Sequence, residues 1–355
     1  MTEVGLFMPF KSDHWHSIER FSELLYQNLP IQFPNFNLTI VRPSERWKLM
    51  GETLGRRVIY TAASSFKKFD VYHIVDQSYS HIAHMMPAHK TVITCHDLEF
   101  WRRRQRKNSL LRIWIAQSML KAQQIVVPSQ MIKTEVLSLS ADLGSLLPKI
   151  DIIANACGAE FKPTANLDVI KATWNLKERC VILNISNTHW PRKNFSFLLN
   201  LVQRLKVYLP EILMIQVGPR WLKEHSEFIT QNSLQNNIRH LENISAKDIV
   251  ELYQVADLYL QPSTYEGFGY PLLESIACST PFLASEIPVF KELFPVKKGL
   301  LPLDIDLWES TVRRILSDSA EREQFVNQQM NLLSQYSWQN QVRSYAEVYS
   351  YVAKN

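Results

Sequence analysis

The sequence predicts an α/β protein made of two parallel-sheet domains. Short runs rich in Val, Ile and Leu alternate with helix-period patterns along the chain, the signature of strands covered by helices on both faces. The 355 residues are 46% hydrophobic and 21% charged, enough for a large core and far from a disordered composition. A polar, aperiodic stretch with a proline, Glu160–Asn166, divides the alternation into two series. The expected organisation is 1–160, 161–337 and a terminal helix over 338–355.

In chain order, the runs that read as buried strands are Val4–Met8, Val71–Val75, Thr91–Thr94, Gln124–Val127, Ile150–Ala154, Val181–Ile185, Leu213–Val217 and Leu258–Leu260. Each is short and bounded by polar or turn residues. Between the first two, Ile18, Phe21, Leu25 and Leu29 repeat at helical spacing, a pattern expected to stop before Pro30. Phe197, Leu198, Leu201, Leu205 and Tyr208 do the same before Pro210. The stretch from Trp338, with aromatics at 345, 349 and 351, reads as a last helix.

Composition excludes several classes. No run reaches 18 apolar residues, and the start, with Glu3 and no apolar core, is unlike a signal peptide. Four cysteines without a CxxC pair point to free thiols and a reducing compartment, so a cytoplasmic location is expected. No GxGxxG follows the first strand, which removes a nicotinamide-dependent oxidoreductase. The net charge of +5 suits an anionic ligand or an anionic membrane surface. A nucleic-acid binder would rest on one basic run with no recognisable module, and no nucleic-acid partner is expected.

Open α/β sheets bind ligands beyond the carboxyl ends of their strands, so a cleft between two such domains is the expected active site. Three strand ends carry chemistry. After Leu258–Leu260 comes Tyr265-Glu266-Gly267-Phe268-Gly269-Tyr270-Pro271-Leu272-Leu273-Glu274. Pro271 suits the start of a helix, whose N–H groups and dipole favour a phosphate. Glu266 then lies in the turn and Glu274 one turn inside the helix. A carboxylate can hold two vicinal hydroxyls, so the pair suits a nucleotide sugar, one for the sugar and one for the ribose. After Val181–Ile185, Asn187 is followed by Pro191-Arg192-Lys193-Asn194, with the two cations expected to open a helix. Cations oppose the dipole there, so a diphosphate is their natural partner. After Thr91–Thr94 comes Cys95-His96-Asp97, placing a histidine that can titrate near neutrality at a strand end. Asp97 can orient it or cap the next helix.

The segment Glu-Gly-Phe-Gly-x-Pro-x-x-Glu, after Pro262-Ser263 and before Ala277-Cys278-Ser279-Thr280-Pro281, resembles the donor-site signature of glycosyltransferase family 4, the group 1 glycosyltransferases. The likeness runs from about Leu252 to Glu292 and is weak in the first domain. It implies a GT-B fold: two Rossmann-like parallel-sheet domains facing a central cleft, with the C-terminal helix returning to the first. It also implies transfer of a sugar from a nucleoside-diphosphate sugar, such as UDP-glucose, to a glycan or lipid-linked oligosaccharide, with retention, in polysaccharide or exopolysaccharide synthesis.

Carried onto this chain, the resemblance gives Glu266 the donor sugar, Glu274 the ribose, and the amides around Gly269, Tyr270 and Leu272, with Gly267 and Phe268, the diphosphate. Lys193 and Arg192 would stabilise the leaving group, with Asn187 nearby where the family often has arginine. His96 would stand beside the reacting sugar. Ser279 replaces the family's usual glycine, which a negative φ would allow.

The first loop, Phe10–Ser17, lacks the family's Gly-Gly pair, so an acceptor there is met by side chains. Arg102, Arg103, Arg104, Arg106 and Lys107, close after Asp97, suit an anionic acceptor or a peripheral contact with an anionic membrane. Asp304-Ile305-Asp306 has a metal-binding form but is expected to start a helix. No cofactor or required metal is expected. Two other readings remain: an epimerase of the same fold acting on the nucleotide sugar, and a glycan-binding protein without catalysis.

Overall fold

A computed structural model describes residues 1–13, 16–102, 109–296 and 298–354. They form two compact units: Met1–Ala156 with Tyr336–Asn355, and Cys157–Gln335. Among the described residues, no helix is long and apolar enough to cross a membrane.

The first unit holds β1 (Thr2–Phe7), β2 (Phe36–Val41), β3 (Val71–Ile74), β4 (Thr91–Thr94), β5 (Gln124–Val127) and β6 (Lys149–Ile152). They form one sheet in the order β2-β1-β3-β4-β5-β6, every pair parallel. The second unit holds β7 (Cys180–Ile185), β8 (Ile212–Val217), β9 (Ile238–Leu241), β10 (Leu258–Gln261), β11 (Phe282–Ser285) and β12 (Leu300–Leu301). Their order is β12-β11-β10-β7-β8-β9, again all parallel. Parallel pairing forces each connection to cross a sheet face, and the helices do this.

The first helix, His16–Gln32, runs through Pro30 rather than stopping before it. Proline removes one bond, to the carbonyl of the exposed Tyr26, while Leu29 on the inner side is fully buried and anchors the last turn. Leu25 and Leu29 share a core with Val4, Leu6 and Val71 and with Val342, Tyr349 and Val352 of the last helix, Trp338–Lys354. That last helix is also tied by polar bonds. The buried His73 on β3 reaches the Tyr349 hydroxyl through Nδ1 and Thr94 Oγ1 on β4 through Nε2, both at 2.7 Å, and Thr94 meets the Tyr345 hydroxyl at 3.0 Å. Burial pushes the His73 imidazole down to about 3, so it serves as a neutral relay between strand and helix. In the second unit, Leu198, Leu201 and Leu205 of the helix Phe195–Leu205 pack with Met214, Leu260, Leu283 and Trp308.

Candidate active site

In the second sheet, β7, β8 and β9 run one way from the centre, and β10, β11 and β12 the other. The loops after β7 and β10 therefore diverge at a topological switch point, where such sheets hold their ligands. The Arg-Lys pair stands on the first of these loops, and Glu266 and the glycines stand on the second.

Arg192 and Lys193 do not open the helix as the sequence suggests. They lie in a separate single turn, Pro191–Lys193, ended by Asn194 at φ 53, and the helix starts at Phe195. Asparagine tolerates this left-handed conformation, so the chain turns and both side chains reach across to the β10 loop. Lys193 Nζ lies 2.5 Å from Glu266 Oε1, and Arg192 Nη1 lies 2.8 Å from Oε2. Arg192 Nη1 also donates to the Tyr265 carbonyl at 3.1 Å. Its guanidinium sits 4.5 Å over the Trp190 ring, a cation–π contact that fixes its plane. The Thr264 amide donates to the Arg192 carbonyl at 2.8 Å and pins the two loops together.

Glu266 Oε1 receives two further bonds, from Gln261 Nε2 at 2.9 Å and Ser263 Oγ at 2.7 Å. The carboxyl is buried. Burial alone would raise its pKa, but Lys193, Arg192 and the hydrogen bonds outweigh it and hold the group down at about 2. Glu266 is thus a permanent carboxylate at neutral pH, with both oxygens engaged.

Glu274, one turn inside the helix Tyr270–Ala277, is also buried and accepts from the Tyr253 hydroxyl at 2.8 Å. Gly269 caps that helix at φ +116, and a Cβ there would lie 2.7 Å from Phe290. Glycine is needed on both counts. Among the helix-start amides, Pro271 has none and that of Leu272 is taken by the Gly269 carbonyl at 3.0 Å. The set expected for a diphosphate is narrowed accordingly. Phe268 packs beside Tyr270 and Phe294, with ring centroids at 5.5 and 6.2 Å. Asn187 caps its own turn, its Oδ1 accepting from the His189 amide at 3.0 Å. Ser279 adopts φ 63, against the negative value expected for a serine in the family's glycine position. It follows the helix end, where the chain needs a left-handed residue to turn. Asp304 caps the helix Ile305–Ser317 through the amides of Asp306 and Leu307.

In the first unit, His96 follows β4. Its Nε2 lies 3.0 Å from the Val75 carbonyl, which can only accept, so Nε2 carries the proton and Nδ1 is left as the acceptor. Desolvation pushes its pKa down to about 4. This corrects the expectation of titration near neutrality. The Asp97 carboxylate accepts from the Glu99 amide at 3.1 Å, at the start of the short helix Glu99–Arg102, and from Gln77 Nε2 at 3.3 Å. Arg102 pairs with Glu135 at 2.6 Å. Arg103, Arg104, Arg106 and Lys107 lie outside the described residues, as do His14 and Trp15 of the first loop.

Sequence reasoning missed the side chains that hold the two carboxylates. Gln261, at the end of β10, and Ser263, in the loop after it, stand five and three residues before Glu266, a local spacing that could have shown them. Tyr253, 21 residues before Glu274, gave no signal.

Residues 168–331, which include every residue of this carboxylate–cation cluster, match the family of glycosyl transferases group 1. This is a group 1 glycosyltransferase domain. Relatives in sequence include the O-antigen chain mannosyltransferase B of Escherichia coli, 28% identical over 52% of this chain and 50% of that protein. The O-antigen chain mannosyltransferase RfbU of Salmonella typhimurium is 30% identical over 38% of each. The chain thus spans half or less of the length of these curated relatives. Among solved structures, Anabaena HepE in complex with UDP and glucose matches over 99% of this chain and all of that one, with TM-score 0.78 and 16% identity. Sucrose-phosphate synthase from Thermosynechococcus elongatus matches over 99% and 98%, with TM-score 0.77 and 15% identity. These likenesses give the group 1 domain its setting, the GT-B fold.

Proposed function

We propose that this chain is a glycosyltransferase that moves a sugar from a nucleoside-diphosphate sugar to a glycan or lipid-linked acceptor, with retention, in polysaccharide synthesis. The observation that carries the reading is the carboxylate of Glu266 held between Lys193 and Arg192 at the β7/β10 switch point of a group 1 domain. In this reading Glu274 takes the ribose and Glu266 the donor sugar. Lys193 and Arg192 take the diphosphate, aided by the start of the helix at Tyr270. His96 is neutral and offers Nδ1 to a hydroxyl, so it orients and does not exchange a proton. The bond from the anomeric carbon to the phosphate oxygen breaks, and its electron pair stays on the phosphate. The acceptor oxygen bonds the same face, and its proton passes to the departing phosphate. Charge grows on the leaving group, where one preorganised donor supplies about 3–4 kcal/mol. Lys193 and Arg192 supply that countercharge, so the reading includes no required metal. The remainder of the basic run after Arg102 is assigned to the acceptor.

A hexose donor is supported from two sides. Several of the sequence relatives are mannosyltransferases, and a structural neighbour holds UDP and glucose. A thermal-shift panel of UDP, GDP and ADP with their sugars decides the base. A ligand at about 100 times its Kd adds about 2.7 kcal/mol of stability. One nucleotide is expected to raise the melting temperature of the wild-type chain, and Glu274→Ala is expected to lose most of that rise. No shift with any nucleotide overturns the donor assignment. A full shift in Glu274→Ala overturns the ribose role.

A further inference from the structure

We propose that the surface formed by residues 46–68 of the first unit docks on a bilayer carrying anionic lipids. This goes beyond the transfer reaction and does not rest on it. After β2 the chain forms a short helix, Glu45–Lys48, then a wider helical segment, Glu52–Ile59, which runs directly into Tyr60–Ser65. The inner side is fixed. Tyr60 is buried and its hydroxyl donates to the carbonyls of Met8 and Val41, at 3.0 and 3.2 Å. Arg56 meets Asp13 at 2.7 Å. Gly55 lies so close to the preceding helix that a Cβ would stand 1.8 Å from the Trp47 carbonyl.

The outer side is apolar. Leu49 is 89% exposed, Met50 55%, Leu54 44%, Val58 53% and Phe66 85%. Leu54 and Val58 stand about one turn apart in the wider helical segment, and Phe66 follows directly after Tyr60–Ser65, so exposed apolar side chains recur along this stretch. A lone exposed apolar side chain needs no explanation, but a contiguous row marks an interaction surface.

Charge identifies the occupant. Arg46, Lys67 and Lys68 are exposed at the borders of the ridge. The nearby Glu45 carboxylate accepts from the Ser12 hydroxyl at 2.5 Å and the Lys11 amide at 2.7 Å; it stays charged but is outnumbered by these three cations. An apolar ridge edged by cations fits anionic headgroups above acyl chains. The same ridge on a second copy would bring the same cations together. The Tyr60 bonds place the segment at the carboxyl ends of β1 and β2, the edge at which open sheets take ligands. Docking there would bring a lipid-linked acceptor to that edge.

The test is co-sedimentation with phosphatidylcholine vesicles, with and without roughly a third phosphatidylglycerol. Wild type is expected to bind only the anionic vesicles, and to release as salt rises from about 0.05 to 0.5 M. Leu49→Gln with Phe66→Gln is expected to lower binding about five-fold or more, since the apolar contact is removed while the charge is kept. Both side chains face solvent, so circular dichroism is expected to show an unchanged fold. Lys67→Gln with Lys68→Gln provides a second variant, expected to weaken binding and flatten its salt dependence. Wild type that stays in solution with anionic vesicles at low salt overturns the proposal. So does a Leu49/Phe66 variant that binds like wild type. A loss confined to Gln variants of Arg102, Arg103, Arg104 and Arg106 assigns docking to that run and overturns it too. A wild-type dimer that the Leu49/Phe66 variant dissolves gives the ridge to a second copy and likewise overturns bilayer docking.

Discussion

At the scale of single residues, Ser279 carries a backbone cost that its side chain does not offset. Among the described residues, three of the five non-glycine residues at positive φ are asparagines, which tolerate it, and Ser279 at φ 63 is not among them. Its amide still donates to the Ile276 carbonyl at 3.0 Å, and its hydroxyl reaches only the Met330 sulfur at 3.8 Å. Glycine keeps the first bond and removes the steric cost. Ser279→Gly is therefore expected to stabilise the chain by about 0.5–1 kcal/mol, less than the full left-handed cost because glycine also loosens the unfolded chain. Urea midpoints measure it. A midpoint no higher than wild type would mean that the hydroxyl contributes more than the backbone loses.

At the scale of elements, the loops after β7 and β10 are joined mainly by charge, and that joint responds to acid. Glu266 has a folded pKa of about 2 against an ordinary 4.5. A depressed carboxylate stabilises the fold in full above the unfolded value and loses that stabilisation as pH falls from about 4.5 through 2. The shift corresponds to on the order of 3 kcal/mol. Glu266→Gln is expected to unfold more readily at pH 7 and to approach wild type only as pH falls through about 2, since it removes the group that titrates. Comparing denaturant midpoints for the two chains between these limits is the measurement, and a constant gap would sink the ion-paired cluster. The same elements show what a sequence can disclose. Strands inside the sheets, such as Thr91–Thr94 and Ile212–Val217, are buried throughout, and their Val, Ile and Leu residues made them legible. The edge strands β2, β9 and β12 were not: β2 and β9 carry residues such as Asn37, Thr39, Arg239 and His240, and β12 is only two residues long, whereas the edge strand β6 was legible through Ile150 and Ile152. β11 is interior but short, and its Ala284 and Ser285 do not look like strand residues. Glu266, Lys193 and Arg192 were legible as separate motifs. Their mutual pairing was not, since 73 residues of chain separate Lys193 from Glu266.

At the scale of the whole molecule, the first unit is not continuous in sequence: its last helix arrives from beyond the second. Val342, Tyr345, Tyr349 and Val352 cover the face formed by Val4, Leu6 and Val71. Deleting residues 336–355 would uncover that face and leave His73 Nδ1 and one side of Thr94 without their tyrosine partners. An unmet buried polar group alone costs about 1–3 kcal/mol. The shortened chain is expected to lose amide-exchange protection in β1 and β3 while β7 and β8 keep theirs. Protection in β1 and β3 equal to wild type would mean that the helix adds nothing to that core.

That same discontinuity orders events during synthesis. A ribosome releases β1 first and the helix that covers it only after the entire second unit has been made. At about 5–20 residues per second, the earliest strands wait roughly 17–70 s with one face bare, while the later-made unit already has all its parts. The second unit is thus the first module able to finish folding, although it is the second to be read. A holdase acting on the nascent chain has its natural target in Val4, Leu6 and Val71.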